Sequence, residues 1–379
     1  MIYDVAVIGL GGMGSATLAH LARRGARAIG IEQFSRLHGL GSSAGKTRMI
    51  RKAYFEDPAY VPLLRRAYDL WRELETETSR KLMDLIGVLM VGTPDQPAIV
   101  ATQQSAKAFA LPLEVLDSQE IARRYPGTAP RPEEIGLLER DAGMVYPEAA
   151  IDAHLHVAER LGAEMRFETM IERWTTSQGV HRLACADGST IAAHRMVVCA
   201  GPWLDRIATD LALPLRVQRN VQIWFHAASH AFDLGRMPAF FVERADLPAN
   251  LYGFPTTADG LKAALHGHGE TTDPDALDRE IHANDIDSVR RALESWLPRS
   301  VAGFRSGKAC MYTRTPDDHF IVDRHPHDQS IVVLGGFSGH GYKFCPVMGE
   351  IAADLALDRA TRHDIAFLSL RRFETLTGR

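Results

Sequence analysis

The sharpest hydrophobic pattern of the chain lies in its first 32 residues. An apolar, β-branched run from Tyr3 to Ile8 predicts a buried strand, and residues 15–24 carry apolar side chains at helical spacing. A second apolar run, residues 28–31, predicts another strand, and the residues GLGGMG lie between the first strand and the helix. This order of strand, glycine-rich turn, helix and strand is typical of a dinucleotide-binding unit.

The glycines and one acidic residue are spaced as a dinucleotide requires. Gly9 would form the tight bend, Gly11 would let the backbone approach a pyrophosphate, and Gly14 would let the helix pack on the strand. Glu32 stands 18 residues after Gly14, where its carboxylate can bind ribose hydroxyls and repel the 2′-phosphate of NADP. A helix entry that serves only packing is the alternative, and the pattern does not separate NAD from FAD.

The rest of the chain alternates between two kinds of region, which differ in their proline content and in the length of their predicted strands. Residues 60–80 predict a scaffold helix, and residues 85–91 begin a region rich in proline and short strands. The chain returns to the first region near Glu148, where residues 151–161 predict a helix and residues 195–203 a buried strand ending in a turn. Further strands are predicted at 221–225, 240–243 and 261–265.

The C-terminal part contains a second unit of strand, glycine-rich loop and helix. Residues 331–334 predict the strand and residues 347–357 the helix, and the loop between them carries Ser338, His340 and Lys343. We therefore expect an α/β fold with α+β elements and two interleaved domains. The expected division is 1–85, 148–217 and 309–379 for the dinucleotide-binding domain, and 86–147 and 218–308 for the substrate-binding domain.

Composition narrows the class of partner. The 379 residues are 46% hydrophobic and 24% charged, as in globular proteins, and the formal net charge is −4. The chain lacks the excess of basic residues that is typical of proteins that bind nucleic acids or membrane surfaces. A small molecule is therefore the expected partner. The chain has no basic leader and no apolar run of about 18 residues, which would mark a membrane span, so we expect a cytoplasmic protein.

Cysteine and histidine spacing predicts no metal site. The four cysteines are widely spaced without a CxxC pair, which fits neither a zinc site nor a disulfide framework and favours a reducing compartment. Two HxH pairs, at 266/268 and 325/327, have no accompanying cysteine or acidic pattern. We expect His325 and His327 to be turn or surface residues, and no metal to be bound.

Six segments spread along the chain carry a family resemblance: GLGGMG (9–14), GKTRMIRKAY (45–54), YGFP (252–255), GLKAALHGHG (260–269), ACMYTRTPDDHFIVDRHP (309–326) and GGFSGHGYKF (335–344). Together they resemble the monomeric sarcosine oxidase family, which includes N-methyltryptophan oxidase and peroxisomal sarcosine/pipecolate oxidase. The resemblance implies a D-amino-acid-oxidase-like flavoprotein, in which a Rossmann-like FAD-binding domain interleaves with a mixed-sheet substrate domain. It implies a monomer that oxidises a secondary amino acid to an imine and reduces dioxygen to hydrogen peroxide.

The resemblance also assigns the residues of a site. The substrate-carboxylate pair falls on Arg51 and Lys343, the oxygen-activating lysine on Lys262, the flavin-proximal arginine on Arg48 and the covalent flavin link on Cys310. Active-site tyrosines and histidines fall on Tyr252, Tyr312, His266 and His340. The other implied cofactor contacts fall on Gly9, Gly11, Gly12, Met13, Gly14, Glu32, Ser42, Thr47, Ile171, Gly339 and Gly341, with Arg48, His340 and Lys343 again included.

One departure from the family pattern bears on the substrate. Residues 41–47 read GSSAGKT, whereas this loop is often histidine-rich with an acidic residue in bacterial members. The GSS and RKAY segments resemble the sarcosine/pipecolate branch of the family more than its other branches. Cyclic imino acids such as pipecolate or proline are therefore the alternative substrates. The alternative functions are a dehydrogenase with an acceptor other than oxygen and a non-catalytic flavin-binding subunit.

The basic residues also have local interpretations that need no cofactor. Arg48 and Arg51 would share one face if their segment were helical, and a solvated basic stretch is the alternative. On a strand, Lys262 would share a face with Ala264 and His266, and a surface lysine is the alternative. In a site, a guanidinium clamps a carboxylate with two hydrogen bonds, and a cation stabilises the anions formed when oxygen is reduced.

Two cysteines compete as the flavin anchor. Cys310 lies two residues after Lys308, and a cationic neighbour favours the reactive thiolate. Cys345 follows the C-terminal glycine-rich loop and is the rival anchor. A buried, inert thiol is the alternative for either of them.

Overall fold

The computed structural model describes residues 1–373. Its strands are β1 (Tyr3–Ile8), β2 (Ala28–Ile31), β3 (Arg48–Ile50), β4 (Met83–Asp84), β5 (Val88–Gly92), β6 (Glu114–Asp117), β7 (Ile135–Glu139), β8 (Gly143–Val145), β9 (Glu164–Arg166), β10 (Ile171–Ser177), β11 (Val180–Cys185), β12 (Thr190–Val198), β13 (Arg216–Ala227), β14 (Ala239–Val242), β15 (Leu251–Thr257), β16 (Gly260–Leu265), β17 (Val301–Arg314), β18 (Ile321–Arg324) and β19 (Ile331–Gly335). Its α-helices are α1 (Gly12–Arg23), α2 (Val61–Thr78), α3 (Pro97–Ala108), α4 (Ser118–Arg124), α5 (Pro147–Arg160), α6 (Leu204–Ile207), α7 (Ala283–Trp296) and α8 (Cys345–Asp358).

The first sheet has eight strands and carries the glycine-rich turn at the end of β1. β1 runs parallel to β2 and β12, β2 to β9, and β12 to β19, while the β10–β11 hairpin and β18 add antiparallel strands. Val5 and Val7 pack with α1, α2, α5 and α8 on one face, and Ala6 and Ile8 pack on the other. Burial on both faces explains why residues 5–8 of β1 are all apolar rather than alternating.

The second sheet also has eight strands, in the order β17-β13-β16-β15-β14-β5-β7-β6. Its neighbours are antiparallel except β14 and β5, which are parallel. Helix α7 covers one face, where Leu293 and Trp296 pack in one cluster with Ile223, Phe225 and Leu261. The predicted combination of a Rossmann-like unit with a mixed sheet is confirmed.

Most predicted elements are present, with ends that differ by a few residues. Helix α5 begins at Pro147, before the predicted start, because proline suits the first turn of a helix. Strand β13 extends well beyond the predicted 221–225, because it pairs with β17 along its whole length. β17 is one continuous strand across the predicted domain boundary between 308 and 309. The other predicted domain boundaries stay predictions.

A third, three-stranded sheet positions the basic segment, in the order β3-β8-β4. The helical interpretation of Arg48 and Arg51 is wrong, because Arg48–Ile50 forms a strand that pairs with Gly143–Val145. Arg51 follows directly after this strand. The pairing partner lies far along the chain, so no local pattern could reveal it.

Candidate active site

A cavity of about 450 Å³ begins at the glycine-rich turn and extends along the carboxyl ends of β1 and β2. Gly9 has φ +88, and a Cβ there would lie 2.5 Å from the carbonyl oxygen of Cys199. A Cβ on Gly14 would overlap the carbonyl oxygen of Gly9, so the turn and α1 pack backbone against backbone. The two glycines therefore meet the structural requirement that their spacing predicts.

Polar groups at the start of α1 and the end of β2 complete this cradle. Glu32 is buried, lines the cavity and accepts hydrogen bonds from the N–H groups of Leu10 at 2.8 Å and Phe34 at 3.1 Å. Gly11, at the N-cap of α1, has no side chain that could fill the space in front of the helix. A helix N-terminus attracts phosphates, so this cavity fits the two phosphates and ribose of a dinucleotide.

The predicted cofactor residues divide into three groups in the structure: those of the large cavity, those of a smaller one and those that line neither. Those that line the large cavity are Gly9, Gly11, Gly12, Met13, Glu32, Ser42, Arg48, Ile171, Gly339 and Gly341. His340 and Lys343 line a second, smaller cavity. Neither of these two cavities of residues 1–373 is lined by Gly14, Thr47, Lys262 or Cys310. Ser43, which was not predicted, accepts a hydrogen bond from the N–H of Gly12 at 3.1 Å.

The second cavity, of about 70 Å³, lies beside the first. Arg48, Tyr312, Gly339 and Tyr342 line both cavities. The predicted residues Arg51, Tyr252, His266, His340 and Lys343 all line the smaller one. The structure thus brings the predicted carboxylate-binding pair and the predicted aromatic residues around one small space beside the dinucleotide cradle.

Strand register explains how distant residues reach this site. Side chains directly opposite each other in a sheet point to the same face, as do alternate residues of one strand. The pairs Gln222 with Lys308, Asn220 with Cys310, Gln218 with Tyr312, Trp224 with Lys262, and Tyr252 with Ala264 lie opposite each other. One face of the second sheet therefore carries Lys262, Tyr252, Cys310 and Tyr312, and α7 covers the other face.

Arg51 and Lys343 form the cationic end of the small cavity. Arg51 is 4% exposed, and its Nη2 donates to Glu56 Oε2 at 2.8 Å. Lys343 Nζ donates to the His340 carbonyl oxygen at 2.6 Å and to the Tyr54 hydroxyl at 3.3 Å. Burial lowers the pKa of Lys343 to about 7, although Glu56 opposes this change. Lys343 therefore changes charge near neutral pH.

The hydrogen bonds of His340 define its tautomer. His340 Nε2 lies 2.9 Å from the Asp318 carbonyl oxygen, which only accepts, so Nε2 carries the proton. Nδ1 then accepts from the Tyr54 hydroxyl at 2.7 Å. Burial lowers the pKa of His340 to about 4, so the ring is neutral at pH 7. His340, Tyr54 and Lys343 are thus fixed relative to one another.

Lys262 and Arg48 are both held by the backbone of residues 42–47. Lys262 Nζ donates to the carbonyl oxygens of Gly45 and Thr47, each at 2.7 Å, and contacts Thr47 Oγ1 at 3.2 Å. Arg48 donates to the carbonyl oxygens of Ser42, Ala44 and Thr47. At 2% exposure, Lys262 is not a surface lysine. Arg48 is half-buried, and its guanidinium donates to the protein rather than to solvent alone, including to Gln222 Oε1 at 3.1 Å.

Burial dominates the electrostatics of Lys262. Burial, followed by the charge of Arg48, lowers the pKa of the Lys262 ammonium well below its ordinary value. The two carbonyl oxygens accept hydrogen bonds from either protonation state, and the Thr47 hydroxyl can accept from the ammonium or donate to the neutral amine. The three oxygens around Nζ therefore accommodate a lysine that gains or loses a proton.

The aromatic residues form the wall nearest the cofactor cavity. The Tyr312 hydroxyl lies 3.5 Å from His266 Nδ1, and the rings of Tyr252 and His266 meet edge to face at 6.3 Å. Burial lowers the pKa of His266 to about 4, so it is uncharged at pH 7. A Cβ on Gly339 would collide with the Tyr312 ring, so glycine is required for this close approach.

The two candidate anchor cysteines occupy different environments. Cys310 is buried in β17 opposite Asn220, on the same sheet face as Lys262. Cys345 lies at the start of α8 and lines the large cavity, where a Cβ on Gly12 would come within 2.6 Å of its Sγ. Burial raises the pKa of the Cys345 thiol, which keeps it protonated and unreactive.

Sequence analysis missed Glu56 and Gln222, which line the small cavity, and Tyr54, which contacts two of its lining residues. Glu56 pairs with Arg51, Tyr54 bridges His340 and Lys343, and Gln222 accepts from Arg48 Nη1 at 3.1 Å. Tyr54 and Glu56 lie within five residues of Arg51, but a lone tyrosine or glutamate has no pattern of its own. Gln222 alternates with apolar residues along β13, which was the one available signal.

Comparison with known proteins identifies the group to which this site belongs. Residues 4–355 match the model of the DAO family, described as FAD dependent oxidoreductase. A monomeric sarcosine oxidase from Streptomyces avermitilis is 42% identical over 98% of this chain and 97% of its own length. This chain belongs to the monomeric sarcosine oxidase family. The predicted family, fold class and activity, an FAD-dependent oxidase acting on amine donors, are thereby confirmed, and FAD rather than NAD is the cofactor.

Two further relatives show how far the family likeness extends. An N-methyl-L-tryptophan oxidase from Yersinia pestis is 33% identical over 98% of this chain and all of its own length. The solved structure of NikD, an amino acid oxidase of nikkomycin biosynthesis, is 24% identical, with a TM-score of 0.86 over 97% of each chain. The latter likeness concerns the fold, whereas the sequence relatives place the chain among amine-oxidising flavoenzymes.

Residues 1–373 contain neither a metal-binding cluster nor a membrane-spanning helix. No group of three or more His, Cys, Asp or Glu side chains is arranged there to hold a metal ion. His325 lies in the turn between β18 and β19, as predicted, but it is buried 2.8 Å from Asp210 Oδ2 and is not a surface residue. Over the same residues, none of the helices combines the length and apolarity that a membrane span requires.

Proposed function

We propose that this flavoenzyme oxidises small secondary amino acids of the sarcosine type at the C–N bond, giving an imine and hydrogen peroxide. One observation carries the proposal: the small cavity is lined by Arg51 and Lys343, and it shares Tyr312 and Gly339 with the lining of the FAD cradle. A carboxylate bound by the two cations would orient the adjacent nitrogen and C–H group toward the flavin.

The size of the small cavity favours a small substrate. Its volume is about 70 Å³, well below the roughly 300–1,000 Å³ of pockets that enclose larger ligands. A small molecule such as N-methylglycine is therefore favoured over one that carries an indole side chain. Met49, Phe55 and Phe241 form the apolar part of the cavity wall.

The site residues have distinct proposed roles. FAD, when bound, supplies the two-electron acceptor that dioxygen then reoxidises. Arg51 and Lys343 bind the carboxylate, and neutral His266 with Tyr252 and Tyr312 surrounds the amine without adding a positive charge. Lys262 serves the oxygen half-reaction, in which negative charge develops on the reacting oxygen and a positive charge lowers its energy.

Three finer assignments belong to the same proposal. Cys310 is the proposed covalent anchor, because it shares a sheet face with Tyr312 and Lys262 while burial disfavours the Cys345 thiolate. The word "monomeric" in the names of the relatives supports a monomer, which size-exclusion chromatography can test. The cytoplasmic location stays a prediction, consistent with four free cysteines in residues 1–373.

A substrate panel tests the proposal. Purified holoenzyme is mixed without oxygen with sarcosine, N-methyltryptophan, pipecolate, proline and glycine, and flavin bleaching is followed by absorbance. We expect sarcosine to bleach the flavin fastest and to yield one hydrogen peroxide per substrate oxidised in air. Bleaching with little peroxide would indicate a dehydrogenase, faster bleaching by pipecolate or proline would indicate a cyclic substrate, and no bleaching would indicate a non-catalytic subunit.

A further inference from the structure

Residues 45–53 carry Arg48 and Arg51 and contact Lys262, and a carboxylate fixes this segment at each end: the half-buried Glu148 and the buried Glu139. Glu148, on the first turn of α5, accepts hydrogen bonds through Oε1 from the N–H groups of Gly45 at 2.8 Å and Lys46 at 3.2 Å. Glu139, at the end of β7, accepts from the N–H groups of Lys52 and Ala53, each at 2.9 Å. Neither carboxylate touches the small cavity.

Each carboxylate is linked to one cation through a single residue of backbone. Gly45 gives its N–H to Glu148 and its carbonyl oxygen to Lys262 Nζ at 2.7 Å. Ala53 gives its N–H to Glu139 and its carbonyl oxygen to Arg51 Nη1 at 2.7 Å. The same arrangement thus occurs twice, once for the proposed oxygen lysine and once for the proposed substrate arginine.

The turn at 45–46 needs an external anchor. Gly45 has φ +136 and Lys46 has φ +66, which is the left-handed region that a lysine rarely adopts. A Cβ at Gly45 would lie 2.7 Å from Arg48 Nη1, so the turn is also packed tightly against that cation. Such strained backbone persists only where surrounding contacts determine it, and Glu148 provides two of them.

We propose that Glu148 and Glu139 are positioning residues that act on different half-reactions. Glu148 holds the Gly45 carbonyl oxygen, and through it Lys262, for the reaction of the reduced enzyme with oxygen. Glu139 holds the Ala53 carbonyl oxygen, and through it Arg51, for binding of the substrate carboxylate. This inference rests on the proposed function for the roles of Lys262 and Arg51, and it adds two residues that touch neither substrate nor cofactor.

The two half-reactions are measured separately, so that a general loss of stability does not imitate the result. Enzyme reduced with dithionite is mixed with oxygen to give the reoxidation rate constant, and acetate titration of the oxidised flavin spectrum gives a dissociation constant for a carboxylate. We expect Glu148→Ala to slow reoxidation at least about tenfold with acetate binding within about twofold. Glu139→Ala should weaken acetate binding about tenfold and leave reoxidation unchanged.

Further variants separate geometry from charge. Glu148→Gln keeps an oxygen that can accept both N–H groups, so it should restore most of the reoxidation rate. Glu148→Asp keeps the negative charge, but its side chain is one methylene shorter and cannot reach both N–H groups, so reoxidation of this variant should be slow. It replaces Glu148→Ala if that variant fails to fold. Glu159→Ala, an exposed carboxylate on the same helix with only a 3.7 Å ion pair to Arg36, is the matched control and should behave as wild type.

Double variants show whether each carboxylate acts through its cation. Glu148→Ala should add nothing to the slow reoxidation of Lys262→Met, and Glu139→Ala should add nothing to the weak acetate binding of Arg51→Met. Full additivity, or equal loss in both measurements from one carboxylate, would overturn the inference. Because neither measurement needs a substrate, an enzyme that oxidises no amino acid in the panel would refute the proposed function and leave this test valid.

Discussion

Replacing Glu56 by glutamine tests whether this side chain occupies the position of a substrate carboxylate. Glu56 Oε2 accepts a hydrogen bond from Arg51 Nη2 at 2.8 Å, and both side chains line the small cavity. A substrate carboxylate that binds Arg51 must therefore compete with Glu56 or displace it. Glutamine keeps the shape of the side chain but removes the negative charge, so we expect Glu56→Gln to bind small carboxylates more tightly than the wild type.

The electrostatic surroundings of Glu56 give the expected magnitude. Burial alone would raise the pKa of its carboxyl, but Arg51, His340 and Lys343 lower it from 4.5 to about 2. This pKa change corresponds to about 3 kcal/mol of attraction between the carboxylate and its surroundings. An external carboxylate that gains about half of this attraction binds about tenfold more tightly. The variant itself should be less stable by up to about 3 kcal/mol, because Arg51 loses a buried partner.

Acetate binding and thermal unfolding together measure this effect. Acetate is titrated into the oxidised holoenzyme at pH 7, and the dissociation constant is compared between wild type and Glu56→Gln. The midpoint of thermal unfolding should be lower in the variant and should rise more on addition of acetate. Glu73→Gln, an exposed carboxylate with one ion pair to Arg66, is the control. Unchanged or weaker acetate binding in Glu56→Gln would refute the competition between the two carboxylates.

The other side chains of the site give three further predictions. Because the pKa of Lys343 is about 7, acetate binding should weaken as the pH rises through that value, and Lys343→Met should remove the dependence. Tyr54→Phe removes the donor to His340 and should lower the free energy of unfolding in urea by about 1–3 kcal/mol; an unchanged value would contradict that hydrogen bond. Cys310→Ala should release all FAD on acid denaturation, whereas Cys345→Ala should retain it, and the opposite result would move the anchor to Cys345.

The sequence predicts those parts of the fold that depend on local patterns. β1 and β2 are short, largely apolar runs, and α1, α2 and α8 have apolar residues at helical spacing, so all five are found within a few residues of their true ends. Strand β3 has three residues, one of them apolar and buried, and exists because Gly143–Val145 pairs with it. A strand that depends on a distant partner leaves no periodicity to detect.

The candidate site likewise combines features that a local sequence pattern predicts with features that depend on contacts between distant parts of the chain. Alternation along β16 places Lys262 and His266 on one face, and register then extends that face to Tyr252. The burial of Lys262 depends on the Gly45 and Thr47 carbonyl oxygens, which belong to a loop in another part of the chain. No property of residues 260–265 reveals those acceptors, so the surface interpretation could be excluded only by the structure.

The charges around the small cavity connect binding with chemistry. Its lining contains Arg48, Arg51 and Lys343, the last only partly protonated at pH 7, against the single carboxylate of Glu56, and its two histidines are neutral at that pH. This excess of positive charge attracts the carboxylate of a zwitterion and lowers the pKa of an ammonium held beside it. Oxidation at the C–N bond requires the neutral amine, whose lone pair is free. The cations that bind one end of the substrate therefore also favour the reactive protonation state of the other.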